Sequence, residues 1–341
     1  MTQSRTDFLD EQTKHLMNGI PAKAVLTSLR ARYPNLNTFA GAVTNIRKRI
    51  FARNHRAPEY DPSPLEAVAS NNPEIMTFLS ASVKDQVTIQ RSHRFHPTWS
   101  DEQEEALQAL KIVPTNIEEF KLPKTHVTSL KRKSEQNLLT KNENLITVDG
   151  IAVLTQAINI LTNAHVDDSY SKLILPLCVL SGRRFTEIAA RGSFAPGSSI
   201  TSCLFTGQLK TKSEEVRTYE IPLLCKFELF KRGIDVLRAK QGDISHLSND
   251  QIGNRYRANA QRDLEMGKFL PSIPTCATIH FLRTVYITLV YHVYVSPWSS
   301  GFTCCKCLGH ASMEESLHYQ NCRLVNVDSV KGGMGPLVIN A

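Results

Sequence analysis

Four short stretches in the second half of the 341-residue chain carry residue types suited to chemistry on a phosphate: GRRFTEI (182–188), FTGQLKTK (205–212), HFLR (280–283) and LGHASMEESLHY (308–319). The residues of interest in them are Arg184, Lys210, His280, Arg283, His310 and Tyr319. A guanidinium is a planar fork that grips two phosphate oxygens at once, and two such forks could hold the oxygens on which charge builds in a phosphoryl transition state. Imidazole and ammonium groups can move protons. A phenol, with an ordinary pKa of ~10, becomes a nucleophile near neutral pH only where cations favour its ionised form or a base takes its proton. Each residue also has a bland reading. Arg184 could be a surface arginine at a helix start, with Arg183 one step out of register. His280 could be a core histidine before the apolar run FLRTVYITLVY, and Tyr319 a half-buried residue of a C-terminal helix. A lone H-x-x-R or L-G-H says little; the order and spacing of all four stretches is the specific signal.

Taken together, the set resembles the catalytic domain of tyrosine recombinases. In that family an arginine follows a glycine by two positions, with a glutamate three further on, as Gly182, Arg184 and Glu187 do here. Its H-x-x-R falls on His280 and Arg283, its L-G-H on Leu308, Gly309 and His310, and its tyrosine, nine residues beyond that histidine, on Tyr319. The stretches GRRFTEIAARGSFAP, LFTGQLKTK and RTYEIPLL are similar to those of telomere resolvases, or protelomerases, which close the ends of linear replicons as hairpins. This similarity covers roughly 175–322. In the narrower family the first position of the HFLR-like motif is usually not histidine, so His280 is closer to ordinary recombinases.

The resemblance implies a mechanism. Arg184 and Arg283 would hold the scissile phosphate of DNA. Tyr319 would attack phosphorus, releasing a 5′-hydroxyl and keeping the bond energy in a 3′-phosphotyrosine for rejoining. His280 and His310 would take the phenol proton or bond the phosphate, and a lysine of the hairpin would protonate the leaving oxygen. Lys210 is favoured for that role by its place after a β-run, with Lys212 as its rival. Glu187 would anchor the helix of Arg184. No cofactor is implied. The partner would be double-stranded DNA with an inverted repeat, bound by a homodimer or larger assembly, because two strands need two tyrosines. Hairpin formation is the first outcome and strand exchange between two duplexes the alternative. A non-catalytic DNA-binding protein is the third reading, disfavoured because it would have little reason to keep Tyr319 and both arginines.

The elements that must position these residues follow from the rest of the chain. A length of 341 residues suits two domains, and a net charge of +8 favours a polyanionic partner. No apolar run reaches the ~18 residues of a membrane span and the start lacks an apolar leader segment, so an intracellular protein acting with DNA is expected. All eight cysteines lie in the second half, several in apolar runs, as buried free thiols would. Cys304, Cys305 and Cys307 with His310 raise a zinc reading. Adjacent cysteines ligate one ion poorly, and thiols buried on a helix before the L-G-H turn are favoured.

The fold class expected is mainly α (α+β): a helical DNA-binding domain over 1–144, then a catalytic domain over 145–341 with a small antiparallel sheet or hairpin. Gly19 should stop a first helix and Pro21 open a second. A third, over 36–53, ends in the cations Arg47, Lys48, Arg49 and Arg53, with Arg56 beyond, either a solvated face or a phosphate contact. Helices are expected over 64–80 and from the capping box of Ser100 and Gln103 to about Ile112. The basic segment 121–144, with Lys131, Arg132 and Lys133, is taken as an interdomain linker along the DNA. Long apolar helices from Thr147 follow, then a hairpin over 200–224, and helices at about 226–240, 248–266, 280–294 and 312–322.

Overall fold

The computed structural model describes residues 3–69, 72–92, 99–209, 217–310, 312–335 and 337. Two compact units, Met1–Glu135 and Gln136–Ala341, divide the chain.

The first unit is helical: α1 (Arg5–Met17), α2 (Ala22–Arg32), α3 (Leu36–Ala52), α4 (Ser63–Ala67), α5 (Pro73–Ser80), α6 (Val83–Ser92), α7 (Asp101–Ala109) and α8 (Thr115–Glu119). Local chemistry sets the boundaries. Ser4, Asn35 and Asn72 accept N–H bonds at the starts of α1, α3 and α5, and Ser100 and Gln103 close a reciprocal capping box on α7. Gly19, at φ +83°, lets the chain turn after α1. Leu16, Leu29, Ile46, Ile50, Ile75, Phe78 and Phe120 are fully buried in one core. The single helix expected over 64–80 is instead two, because Asn72 and Pro73 start a new one rather than continue the old.

The division between units falls inside α9 (Lys124–Glu143), a helix with no buried residue. The basic segment 121–144 is therefore mostly helical.

The second unit begins with β1 (Ile146–Asp149), α10 (Gly150–Thr162) and α11 (Tyr170–Ser181). Asp149 caps α10, so the apolar run read as one helix starts as a strand. A π-helical turn (Glu187–Arg191) leads to an antiparallel sheet in the order β2-β3-β4: β2 (Ser193–Pro196), β3 (Ser202–Thr206) and β4 (Thr218–Pro222). Phe205 pairs with Tyr219 across β3 and β4. Then come α12 (Phe227–Gln241), α13 (Asn249–Ile252), a π-helical segment (Gly253–Arg257) and α14 (Ala258–Glu265). They are followed by α15 (Phe281–Val293), α16 (Ser300–Leu308) and α17 (Met313–Ser316). The helix expected over 312–322 stops early: a 3₁₀ turn (Leu317–Tyr319) follows α17, and β5 (Cys322–Val325) is extended and pairs in parallel with β1, Ile146 opposite Cys322 and Asp149 opposite Val325. Strands of four residues are too short to impose a period on the sequence.

Two nearly sealed helices organise this unit. Residues 173–181 of α11 are all buried, as are ten of the thirteen residues of α15. The mainly helical class with a small antiparallel sheet is the fold observed. The eight cysteines are free thiols, with Cys304 and Cys307 buried on α16.

Gly182 ends α11 in the left-handed region at φ +63°, and a Cβ there would lie 2.1 Å from a ring carbon of Tyr286. Gly182→Ala should therefore destabilise the protein by roughly 2 kcal/mol or more, combining backbone strain with overpacking against a buried ring. Chemical denaturation measures this, and an unchanged midpoint would show that the ring yields freely.

Candidate active site

The turn after α11 sends two adjacent arginines to different tasks. Arg183 is 1 % exposed and is wholly engaged inside the protein. Its Nη1 donates to Tyr219 Oη at 2.6 Å, its Nη2 donates to the Cys307 carbonyl at 2.7 Å, and its guanidinium lies 4.9 Å from the Phe205 ring centroid. Arg184 is partly exposed and donates to Glu187 Oε1 at 2.8 Å and to the Leu209 carbonyl at 2.9 Å. Both arginines contribute to the lining of one open groove, but Arg183 is sealed by its internal bonds whereas Arg184 keeps part of its head exposed.

Glu187 is fully buried and accepts three kinds of donor: the Arg184 backbone N–H, the Arg184 guanidinium, and the Leu209 N–H at 3.0 Å. Burial alone would raise its carboxyl pKa, but the guanidiniums of Arg183, Arg283 and Arg184 outweigh that and hold it below the usual carboxylate range. It anchors more than the helix of Arg184, because it also fixes the chain at Leu209, where the lysine segment begins. Lys210 and Lys212 themselves lie outside the described residues.

Arg283, on the first turn of α15, is 1 % exposed. Its Nη1 donates to the Gly182 carbonyl at 2.6 Å, while its buried Nε has no hydrogen-bond partner among the described residues. Burial, then the charge of Arg183, push its pKa down. A buried cation with an idle donor is a costly arrangement unless an anion completes it. Arg184, Arg283 and His280 line one open groove, whose far wall includes Asn254, Arg257 and Gln261.

The phenol is held by three of the other motif residues. Tyr319, in the 3₁₀ turn, is 8 % exposed, and its Oη lies 3.1 Å from His280 Nε2. The Arg283 guanidinium sits 5.4 Å from the centre of its ring, and the His310 ring 5.0 Å. His310 Nδ1 bonds Ser316 Oγ at 3.1 Å. Burial first, then the surrounding guanidiniums of Arg283, Arg184 and Arg183, depress the His310 pKa to about 3. Its imidazole is neutral at physiological pH.

A relay not readable from the motifs ties these turns together. Tyr219 Oη donates to Gln208 Oε1 at 2.6 Å, and Gln208 Nε2 donates to the Gly309 carbonyl at 2.7 Å. Arg183 joins the same tyrosine to the end of α16. Gly309 needs its φ of +65°, and a Cβ there would lie 2.3 Å from Gln208 Oε1. The start of the lysine segment and the turn bearing His310 are thereby fixed to one buried guanidinium. Partners 101 residues apart, as Gln208 and Gly309 are, leave no local trace in a sequence.

The remaining basic residues read as DNA contacts fare differently. Arg47 is half-buried and donates to the carbonyls of Phe120 and Ile117. Arg49 pairs with Asp10 at 2.6 Å and Arg53 with the same carboxylate at 3.7 Å. Lys48 is exposed. Lys131, Arg132 and Lys133 are exposed on α9, with Lys131 3.9 Å from Glu135. Among the described residues no group of three His, Cys, Asp or Glu side chains is arranged to hold a metal ion, and no helix is long and apolar enough to cross a membrane.

Fold and site together define a tyrosine recombinase-type catalytic domain. Residues 144–321, just over half the chain, match the family model of the telomere resolvase ResT/TelK catalytic domain, and the chain belongs to that family. The protelomerase of Escherichia phage N15 is 25 % identical over 244 residues, which is 65 % of this chain and 38 % of that protein. The chain thus spans well under half the length of this relative. Among solved structures, the protelomerase TelK complexed with substrate DNA superposes with a TM-score of 0.66 at 18 % identity, over 89 % of this chain and 75 % of TelK. A protelomerase TelA variant covalently complexed with substrate DNA gives 0.56 at 22 % identity, over 83 % and 95 %.

Two measurements follow. Tyr219→Phe strands donors and acceptors of the relay and should cost about 1–3 kcal/mol in denaturant unfolding; a cost near zero would show the relay to be slack. His310 makes stability pH-dependent: the unfolded histidine takes a proton as pH falls through its ordinary 6.5, whereas the folded one resists to about 3. Stability is therefore lost as pH drops across that window. Urea melts of His310→Gln should show a shallower decline between pH 6.5 and 3 than the parent protein; parallel curves would mean that His310 protonates readily in the fold.

Proposed function

We propose that this protein cuts and rejoins DNA through a 3′-phosphotyrosine on Tyr319 and that its product is a covalently closed hairpin end. The observation that carries the reading is the convergence of residues drawn from positions 184 to 319: Arg184, His280 and Arg283 line one groove, and Tyr319 packs against His280, Arg283 and His310. The partly exposed head of Arg184 and the Arg283 guanidinium in the same groove lining are cations set up before any anion arrives. A scissile phosphate lying between them would receive charge-assisted bonds that strengthen as its oxygens gain charge.

The steps follow from the contacts. His280 Nε2, within hydrogen-bond reach of the Tyr319 Oη, accepts the phenol proton as the oxygen attacks phosphorus. The Arg283 cation beside the ring favours the ionised phenol. The neutral His310, held by Ser316 through Nδ1, keeps its other nitrogen for the phosphate. A lysine of the 210–216 segment, Lys210 ahead of Lys212, protonates the departing 5′-oxygen. The phosphotyrosine stores the bond energy, and attack by a 5′-hydroxyl restores the tyrosine and reseals the strand.

The partner in this reading is double-stranded DNA with an inverted repeat, engaged by two or more protomers, and the helical first unit is its DNA-binding domain. The family membership and the DNA carried by the structural neighbours support that partner. The protein then works wherever its replicon does, inside the cell and on DNA.

With palindromic replicated-end DNA from the protein's own replicon, denaturing gels should show snap-back hairpins; products joining two separate duplexes would instead indicate an integrase. Tyr319→Phe should give no covalent protein–DNA adduct, and Arg184→Ala and Arg283→Ala should each slow cleavage by ~10²-fold or more. Adducts that persist in Tyr319→Phe would overturn the assignment.

A further inference from the structure

The cations of the first unit fall into two groups that the sequence does not separate. On the side of α3 facing α1, Arg49 and Arg53 share the Asp10 carboxylate. On the side facing α6 lies a groove lined by Arg47, Lys48, Lys84 and Arg91, with Phe51 and Val87 also in its lining. No aspartate or glutamate lines that groove. Lys48, Lys84 and Arg91 are exposed and make no ion pair among the described residues.

From this we infer that the α3–α6 groove, and not the Arg49–Arg53 face, is where the first unit grips the phosphate backbone of duplex DNA. Lys84 and Arg91 stand seven residues apart on α6, two turns along one helix face, and so supply a row of charge rather than a point. Lys48 adds a cation from α3 across the groove. Arg47, tied by its Nη1 to the Phe120 and Ile117 carbonyls and lying 5.3 Å from the Phe51 ring centroid, fixes charge at the groove floor. Burial and then the charge of Arg91 lower its pKa, with Glu118 opposing, so Arg47 and Arg91 repel one another in the protein alone. A polyanion relieves that repulsion and releases its own counterions on binding. A solvated face would be expected to alternate in sign, as the α1–α3 face does with Asp10.

The inference rests on the DNA-joining reading, and the experiment separates the two. The full chain is titrated against a fluorescent 40-bp duplex of arbitrary sequence at several salt concentrations, and adduct formation through Tyr319 is followed on its natural DNA at saturating protein. Lys84→Ala with Arg91→Ala should reduce the slope of log affinity against log salt by about 2, one for each lost phosphate contact. Lys84→Glu with Arg91→Glu should weaken binding further at low salt. Arg49→Ala with Arg53→Ala should leave the slope unchanged. All the variants should still form adducts at saturating protein, and the thermal melts of the α6 pair should match the parent, since both side chains are exposed. An unchanged slope in the α6 variants, with adducts still formed, overturns the groove assignment alone. No adduct from the unmodified protein would instead count against the function proposed above.

Discussion

Glu187 sets one buried carboxylate against the guanidiniums of Arg183, Arg184 and Arg283, and the architecture of the second unit can be understood from that imbalance. Charges this deep are tolerated only when neutral dipoles or opposite charges surround them. Arg183 meets the requirement with Tyr219 and the Cys307 and Ser181 carbonyls. Arg184 meets it with Glu187 and the Leu209 carbonyl. Arg283 meets it in part, with the Gly182 and Leu308 carbonyls, and leaves its buried Nε without a partner among the described residues. The protein alone is therefore left with a surplus of positive charge, which is the state a site for an anion must have before the anion comes.

The same imbalance constrains the scaffold around the groove. Carbonyls at the end of α11 and the end of α16 are spent on arginines, which requires those ends to be held to a fraction of an ångström. Gly182 and Gly309, both in left-handed conformations, release these carbonyls by ending their helices abruptly. Tyr286, packed under Gly182, donates to the Pro222 carbonyl at the end of β4 and so carries the alignment from helix to sheet. Pre-set donors of this kind need little reorganisation when charge develops, which is where much of the rate advantage of such sites originates.

The parts of this arrangement that could be read in the sequence are those with a local signature. The helix caps at Ser100 and the stop at Gly19 are spelled out within a few residues, and the long apolar helices announce α11 and α15 by composition alone. The four motif stretches were legible as a family resemblance because their order along the chain is kept even where each is unremarkable by itself. What could not be read depends on contacts made across the fold. Arg183 and Arg184 are chemically identical neighbours, and only the location of Tyr219 decides which is buried. Gln208 looks like any polar turn residue until Gly309 is placed beside it. β1 and β5 hide because ITVD merges into the apolar run behind it and Cys322–Val325 follows a helical pattern. Lys84 and Arg91 are isolated in sequence and become a pair only through the geometry of α6, whereas the conspicuous basic run at the end of α3 is partly consumed by Asp10 and by backbone carbonyls.

The parallel pairing of β1 with β5 has a mechanical side. β5 begins three residues after Tyr319, so the 3₁₀ turn that bears the phenol is secured downstream by a strand ladder and upstream by the short α17. A tug on the tyrosine oxygen along the chain would load that ladder lengthwise, with four residue pairs resisting together, instead of peeling them apart one by one. Tyr319 is thus held on both sides like a bracket, by a short helix before it and a strand ladder after it.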